Sequence, residues 1–173
     1  MSDNIVLASN YNNEAYQYLM QARNAFMQYK QDQARISVID NQIEGIQYYA
    51  QSNQVALYLA DKTSLLINRI KIDEQLHQRV ETVASFSAIA TLYALSALQI
   101  CIGLRDQISS MLHDNALMAI CSFLDLTGVN QEIHNAYKRY CSMSKFSQII
   151  FDINRANQNI ISLPGIIRLK SIL

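Results

Sequence analysis

Glu74 and His77 are three residues apart, and Glu81 follows after one further turn. On a helix all three would project from one side. Carboxylates and imidazoles at this spacing suit dinuclear iron or manganese centres, where two Glu-x-x-His pairs and two further glutamates converge inside a four-helix bundle. This chain holds one such pair. Glu132 is followed by Asn135 where a second histidine would be needed, and a solvated charged face accounts for the cluster better. His77, His113 and His134 fall on three separate predicted helices, with no His-x-x-x-His pair to fix a metal geometry. No metal ligand is assigned.

Nucleophilic chemistry finds as little support. Cys101, Cys121 and Cys141 are set twenty residues apart with no Cys-x-x-Cys pair, which is neither a zinc spacing nor a disulfide framework. They read as small core hydrophobes in a reducing compartment. Cys141, preceded by Lys138, Arg139 and Tyr140, has the least inert setting of the three, because a nearby cation favours the thiolate. There is no Gly-x-Ser-x-Gly turn and no glycine-rich phosphate loop. Lys138 and Arg139, with Tyr137 and Tyr140 beside them, are too few for a nucleic-acid surface in a chain whose fourteen basic and fourteen acidic residues cancel. The sequence therefore points away from an enzyme, from a bound cofactor and from nucleic acid. It assigns no catalytic, cofactor-binding or metal residue.

The elements that must position these residues are helices. One Pro and four Gly in 173 residues leave few helix breakers, since Pro lacks the backbone N–H and Gly carries excess backbone entropy. The class expected is all-α, a bundle of about four to five long helices. The chain is long enough to bury a core unaided and reads as a single helical domain over 1–173. Its parts are a lead-in over 1–9, the bundle over 10–161 and a hydrophobic C-terminal tail over 162–173. Sixteen Gln and fourteen Asn fill polar faces that carry only 16% charged residues. With half of its residues apolar and little charge repulsion, such a surface associates readily.

The first helix is heptad-patterned and coiled-coil-like. Tyr11, Ala15, Tyr18, Ala22, Ala25 and Tyr29 alternate four and three apart, and the series resumes at Ile36, Ile39, Ile43, Ile46 and Ala50, interrupted where Asp32 holds a seam position. Ser9, Asn10, Asn12 or Asn13 could cap it. A strict seven-residue repeat asks for a supercoiled partner helix, in the same chain or in another copy. Gln51 to Gln54 is the expected turn. Asp73 and Glu74 could restart a helix, and the residues do not decide whether the chain breaks there. A helix over 107–127 is expected to end at Gly128. A last long helix, capped by Asn130, would turn Ile133, Ala136, Tyr140, Met143, Phe146, Ile150, Ile153 and Ile160 inward.

From Thr82 to Leu104 the chain runs 23 residues without a charge. A helix of that length would cross a bilayer core, which takes roughly 20 residues, and it is equally the pattern of a central hydrophobic helix buried by its neighbours. Thr82, Ser85, Ser96, Gln99 and Gly103 form a polar and small stripe that suits close packing in either setting. That seven of the 23 residues are Thr, Ser, Gln or Gly, that no Trp or basic cluster marks an interface, and that His113-Asp114 and Asp125 cut the next apolar stretch favour the buried reading. After Pro164-Gly165 the tail holds Ile166, Ile167, Leu169, Ile172 and Leu173, which calls for burial on the bundle, on a neighbour or at a membrane surface.

These features predict a non-catalytic assembly or interaction protein, a homo-oligomer or a subunit of a larger complex. Its partner surfaces would be the seam at Ile36, Ile39, Ile43 and Ile46 and the aliphatic tail. The alternative is a membrane-active helical protein, such as an effector, pore-former or translocator, inserting 82–104; that likeness is one of general plan and no motif carries it. The N-terminal Met-Ser-Asp-Asn-Ile-Val-Leu has no basic region followed by an apolar stretch. It predicts residence in a cytoplasm, with membrane association or export without a cleaved signal as alternatives.

Overall fold

With so few residues able to stop a helix, helical segments extend until packing or a cap ends them. The computed structural model describes residues 3–51, 53–104, 106–143, 145–157 and 164–172. Among these, the regular structure is helical throughout. It comprises α1 (Asp3–Gly45), a 3-10 turn (Gln47–Gln51), α2 (Val55–Cys101), α3 (Gln107–Gly128), α4 (Gln131–Ser142), α5 (Phe146–Ala156) and α6 (Pro164–Ile172). The protein is an all-α bundle with two long helices. Packing divides the chain into two compact units, one of residues up to Asn24 together with Glu81 onward, the other of Ala25–Val80.

In the first unit, α1 begins at Asp3 and not after a lead-in at residue 9. Ala8 is fully buried with Cys101 and Leu112, and Ile5 packs against them, so the apolar phase of the helix reaches back to its first turns. Burial rather than a cap at Ser9 to Asn13 sets this end. Ala15 and Ala22 are buried as their spacing predicts. Tyr11 and Tyr18 on α1 meet Phe86 and Tyr93 on α2 with ring centroids 5.7 to 5.9 Å apart, and the alternation of contacts shows the helices running antiparallel.

The uncharged segment is the centre of this unit. Val83, Ala84, Ala90, Ala94, Leu95, Ala97 and Leu98 have essentially no exposed surface. Around it, Asp106 caps α3 by accepting from the Ser109 N–H at 2.8 Å, and α3 ends at Gly128. Asn130 caps α4, accepting from the N–H groups of Glu132 and Ile133 at 2.8 and 3.1 Å. The last long helix expected from the sequence is two. The inward positions end with Cys141 in α4 and restart at Phe146 in α5, a step of five that no single helix keeps on one face. Met143, expected inside, is 78% exposed. Ile160, the start of the tail at 162–163 and Leu173 lie outside the described residues.

The tail itself is helical. Ile166, Leu169 and Ile172 are buried, Ile167 is not, and α6 packs on α3, where Arg168 pairs with Asp125 at 2.9 Å.

The second unit is a helical hairpin of the C-terminal part of α1 and the N-terminal part of α2. Asp40 accepts from Arg69 Nε at 2.7 Å, and Asp32 faces Arg79 at 3.6 Å. Because one residue number falls as the other rises, the strands of the hairpin are antiparallel. Tyr29, Asp32, Ile36, Ile39, Ile43 and Ile46 are shielded on α1, and Tyr58, Lys62, Leu65, Arg69, Ile72, Leu76 and Arg79 on α2. Both sets alternate four and three. The seam read from the sequence finds a partner helix within the chain. Asp73 and Glu74 cause no break in α2, since neither Pro nor Gly occurs between Val55 and Cys101.

Candidate interaction surfaces

Residues with chemical potential are scattered or satisfied. Glu74 and His77 are exposed, and His77 Nε2 lies 3.6 Å from Asp73. Glu81 has other partners: its carboxylate accepts from Arg139 Nη2 at 2.6 and 2.8 Å and from the Tyr140 hydroxyl at 2.6 Å. The Tyr140 hydrogen bond first, then that of Arg139, holds the Glu81 carboxyl below its usual range, and the same contact raises Tyr140. His113 sits beside Asp114 at 3.4 Å, and His134 is half-buried on α4. Among the described residues no three of His, Cys, Asp or Glu converge where they could hold a metal ion.

Below the Glu81 contact lies a buried polar step. Thr91 Oγ1 donates to the Ser87 carbonyl at 2.7 Å and stands 2.7 Å from the Tyr137 hydroxyl. With the threonine proton engaged, Tyr137 is the donor to Thr91. Burial raises Tyr137 far above its ordinary value and pushes the Cys141 thiol up to about 12. Cys141 is therefore held as the protonated thiol despite its basic neighbours in sequence, because those side chains point to solvent and to Glu81 while the sulfur points inward. Arg139 and Tyr140 as partners of Glu81 lie 58 and 59 residues away in the chain, and no short-range spacing could have announced them.

Between α1 and α3 runs an open cleft of about 340 Å³ lined by Asn12, Tyr16, Arg23, Asn115, Met118 and Ser122 among others. Asn12 Nδ2 donates to the Leu112 carbonyl at 2.9 Å, which ties the two helices together at its edge. The lining has a single charged group and no acid–base pair.

A run of exposed aliphatic side chains lies on the hairpin. Val55, Leu59, Leu66 and Ile70 fall within about 60° on α2, on a face about 90° round the helix from the seam with α1, and each leaves 39 to 58% of its surface open. Ile67 flanks this stripe and Leu57 lies near the turn, both about half exposed. Lys62, its ammonium 5.4 Å from the Tyr58 ring, and Thr63 are the polar interruption. A two-helix unit has only one internal seam, so a helix that is apolar on two sides must leave one of them open. The chain matches no protein-family model, no curated protein and no solved structure.

Proposed function

We propose that the chain is a non-catalytic assembly or interaction protein, working in the cytoplasm as a subunit of an oligomer or of a larger complex, and that the hairpin over 25–80 is its contact element. The observation that carries this reading is the outer stripe of α2, where aliphatic side chains recur at helical spacing and stay open to solvent. The stripe is of the order of the largest apolar patch on a typical monomer, a kind of patch that is often functional. Light scattering behind a sizing column, in buffer without detergent and over a concentration series, tests it: a discrete species heavier than the 19.7 kDa chain supports assembly, and a monomer throughout counts against it.

One observation supports a second reading. α2 is long and apolar enough to cross a membrane, with a window of mean hydropathy 1.6, although 56% of that window is buried within the protein. Under this reading the bundle opens and α2 inserts. Flotation with liposomes accompanied by dye release supports it, and a protein that neither floats nor leaks dye removes it.

A further inference from the structure

We propose that the outer stripe of α2 is an isologous interface on which the hairpin of a second copy of this chain seats in antiparallel orientation, giving a four-helix contact between two hairpins. This rests on the assembly reading and names its partner. Three features of the hairpin select a second copy as the occupant.

The first is pattern. Val55, Leu59, Leu66 and Ile70 recur four, seven and four apart along a stripe about 90° round α2 from the internal seam, so the helix carries a second apolar face beside the one that α1 covers. The second is area. The open parts of Val55, Leu59, Leu66, Ile67 and Ile70 amount to something on the order of 400 Å² of aliphatic surface, about half of what each partner in a standard interface of ~800 Å² buries; the neighbouring polar residues supply the rim. The third is charge. Residues 25–80 hold six basic and six acidic side chains, so two hairpins carry no net repulsion. Lys62, half-buried where the seam borders the stripe, lies N-terminal to Leu66, and the anions Asp73 and Glu74 lie C-terminal to Ile70. A two-fold axis near Leu66 sets Lys62 of each copy opposite Ile70 and within one turn of Asp73 and Glu74 of the other. Parallel pairing would oppose lysine to lysine and carboxylate to carboxylate. Closed two-fold pairing of a self-complementary patch is also the commonest route to a soluble oligomer.

The experiment uses the full chain and compares four proteins by light scattering and analytical ultracentrifugation. The wild type is expected at twice the 19.7 kDa chain mass. The double variant Leu66→Glu, Ile70→Glu is expected at the mass of one chain with the same helical circular dichroism, both positions being exposed. Lys62→Asp is expected to weaken the dimer about tenfold, and adding Asp73→Lys is expected to recover that loss, which a merely structural role of either residue would not do. A dimer that survives Leu66→Glu, Ile70→Glu overturns the interface while leaving the assembly reading in place. A wild type that stays at one chain mass at hundred-micromolar concentration overturns both. A dimer broken by the glutamates but indifferent to both charge variants overturns the antiparallel register.

Discussion

A Cβ added to Gly165 would stand 2.9 Å from the Sγ of Cys121. At this point α6 comes onto α3 so closely that only a residue without a side chain fits undisturbed. One turn later Arg168 reaches Asp125, and Ile166, Leu169 and Ile172 fill the contact. The aliphatic end of the chain thus has a seat on its own bundle.

Gly165→Ala should loosen that seat. The obstacle is a flexible thiol, so the expected cost is about 1 kcal/mol, as for mild overpacking. The rate of Cys121 labelling by an aromatic disulfide reagent should rise several-fold. Removing the obstacle with Cys121→Ala should restore stability in the double variant, and a double-mutant cycle in urea measures the coupling.

Glu81 links pH to stability in the first unit. Its carboxyl titrates below the ordinary value of 4.5 in the folded state, so its contribution is present above that pH and is lost as the pH falls through the folded value. Tyr140 titrates above its ordinary 10.0; its contribution is present below that pH and is lost as the pH rises through the folded value. The pair is half-exposed and screened, so Glu81→Gln should lower the melting temperature by only about 1–3 °C at pH 7. The difference from wild type should close as the pH falls through the folded value of Glu81, and again as it rises through that of Tyr140.

Thr91 and Tyr137 should respond unequally to removal of their mutual contact. Thr91→Val strips the acceptor from a fully buried hydroxyl and should cost about 1–3 kcal/mol, whereas Tyr137→Phe leaves Thr91 bonded to the Ser87 carbonyl and should cost about 1 kcal/mol or less. Chemical unfolding monitored by far-ultraviolet circular dichroism gives both values.

Asp32 is buried, with 7% of its side chain exposed, and its Oδ2 has no hydrogen-bond partner. Asp32→Leu should therefore be neutral or stabilising by about 1 kcal/mol, while Arg79→Leu should destabilise by roughly 1–3 kcal/mol because it leaves the carboxylate with one less cation. Equal losses from both variants would show the ion pair to be a net stabiliser.

Much of the fold was legible in the residues, for local reasons. Asn130 starts α4 because side-chain capping acts within four residues, whereas Gly128 ends α3 without the left-handed conformation that a glycine cap would use. Ala15, Ala22 and Tyr29 could be placed inside because a helix repeats its environment every few positions. The break after Ser142 was harder to see: Met143 is as apolar as its inward neighbours, and only the five-residue step from Cys141 to Phe146 betrays the change of phase. The start of α1 at Asp3 depended on Ala8 meeting Cys101 and Leu112, which lie about a hundred residues away. As for candidate surfaces, the sequence marked the seam at Ile36 to Ile46 and the tail, whereas the open stripe lies beside the seam on the partner helix α2. Which of two apolar sides of α2 faces α1 follows from Asp40 meeting Arg69, a pairing that composition and spacing do not reveal.

The carboxylate at position 32 also works as a check on alignment. Heptad helices can slide by seven residues and still match aliphatic to aliphatic, so the seam alone would tolerate a misfolded hairpin. Sliding by one repeat would set Asp32 opposite Ile72 and take Arg79 away from it, leaving the more exposed Arg35 of its own helix, 3.7 Å from the carboxylate, to face it. The observed alignment keeps both Arg35 and Arg79 within 4 Å of the carboxylate.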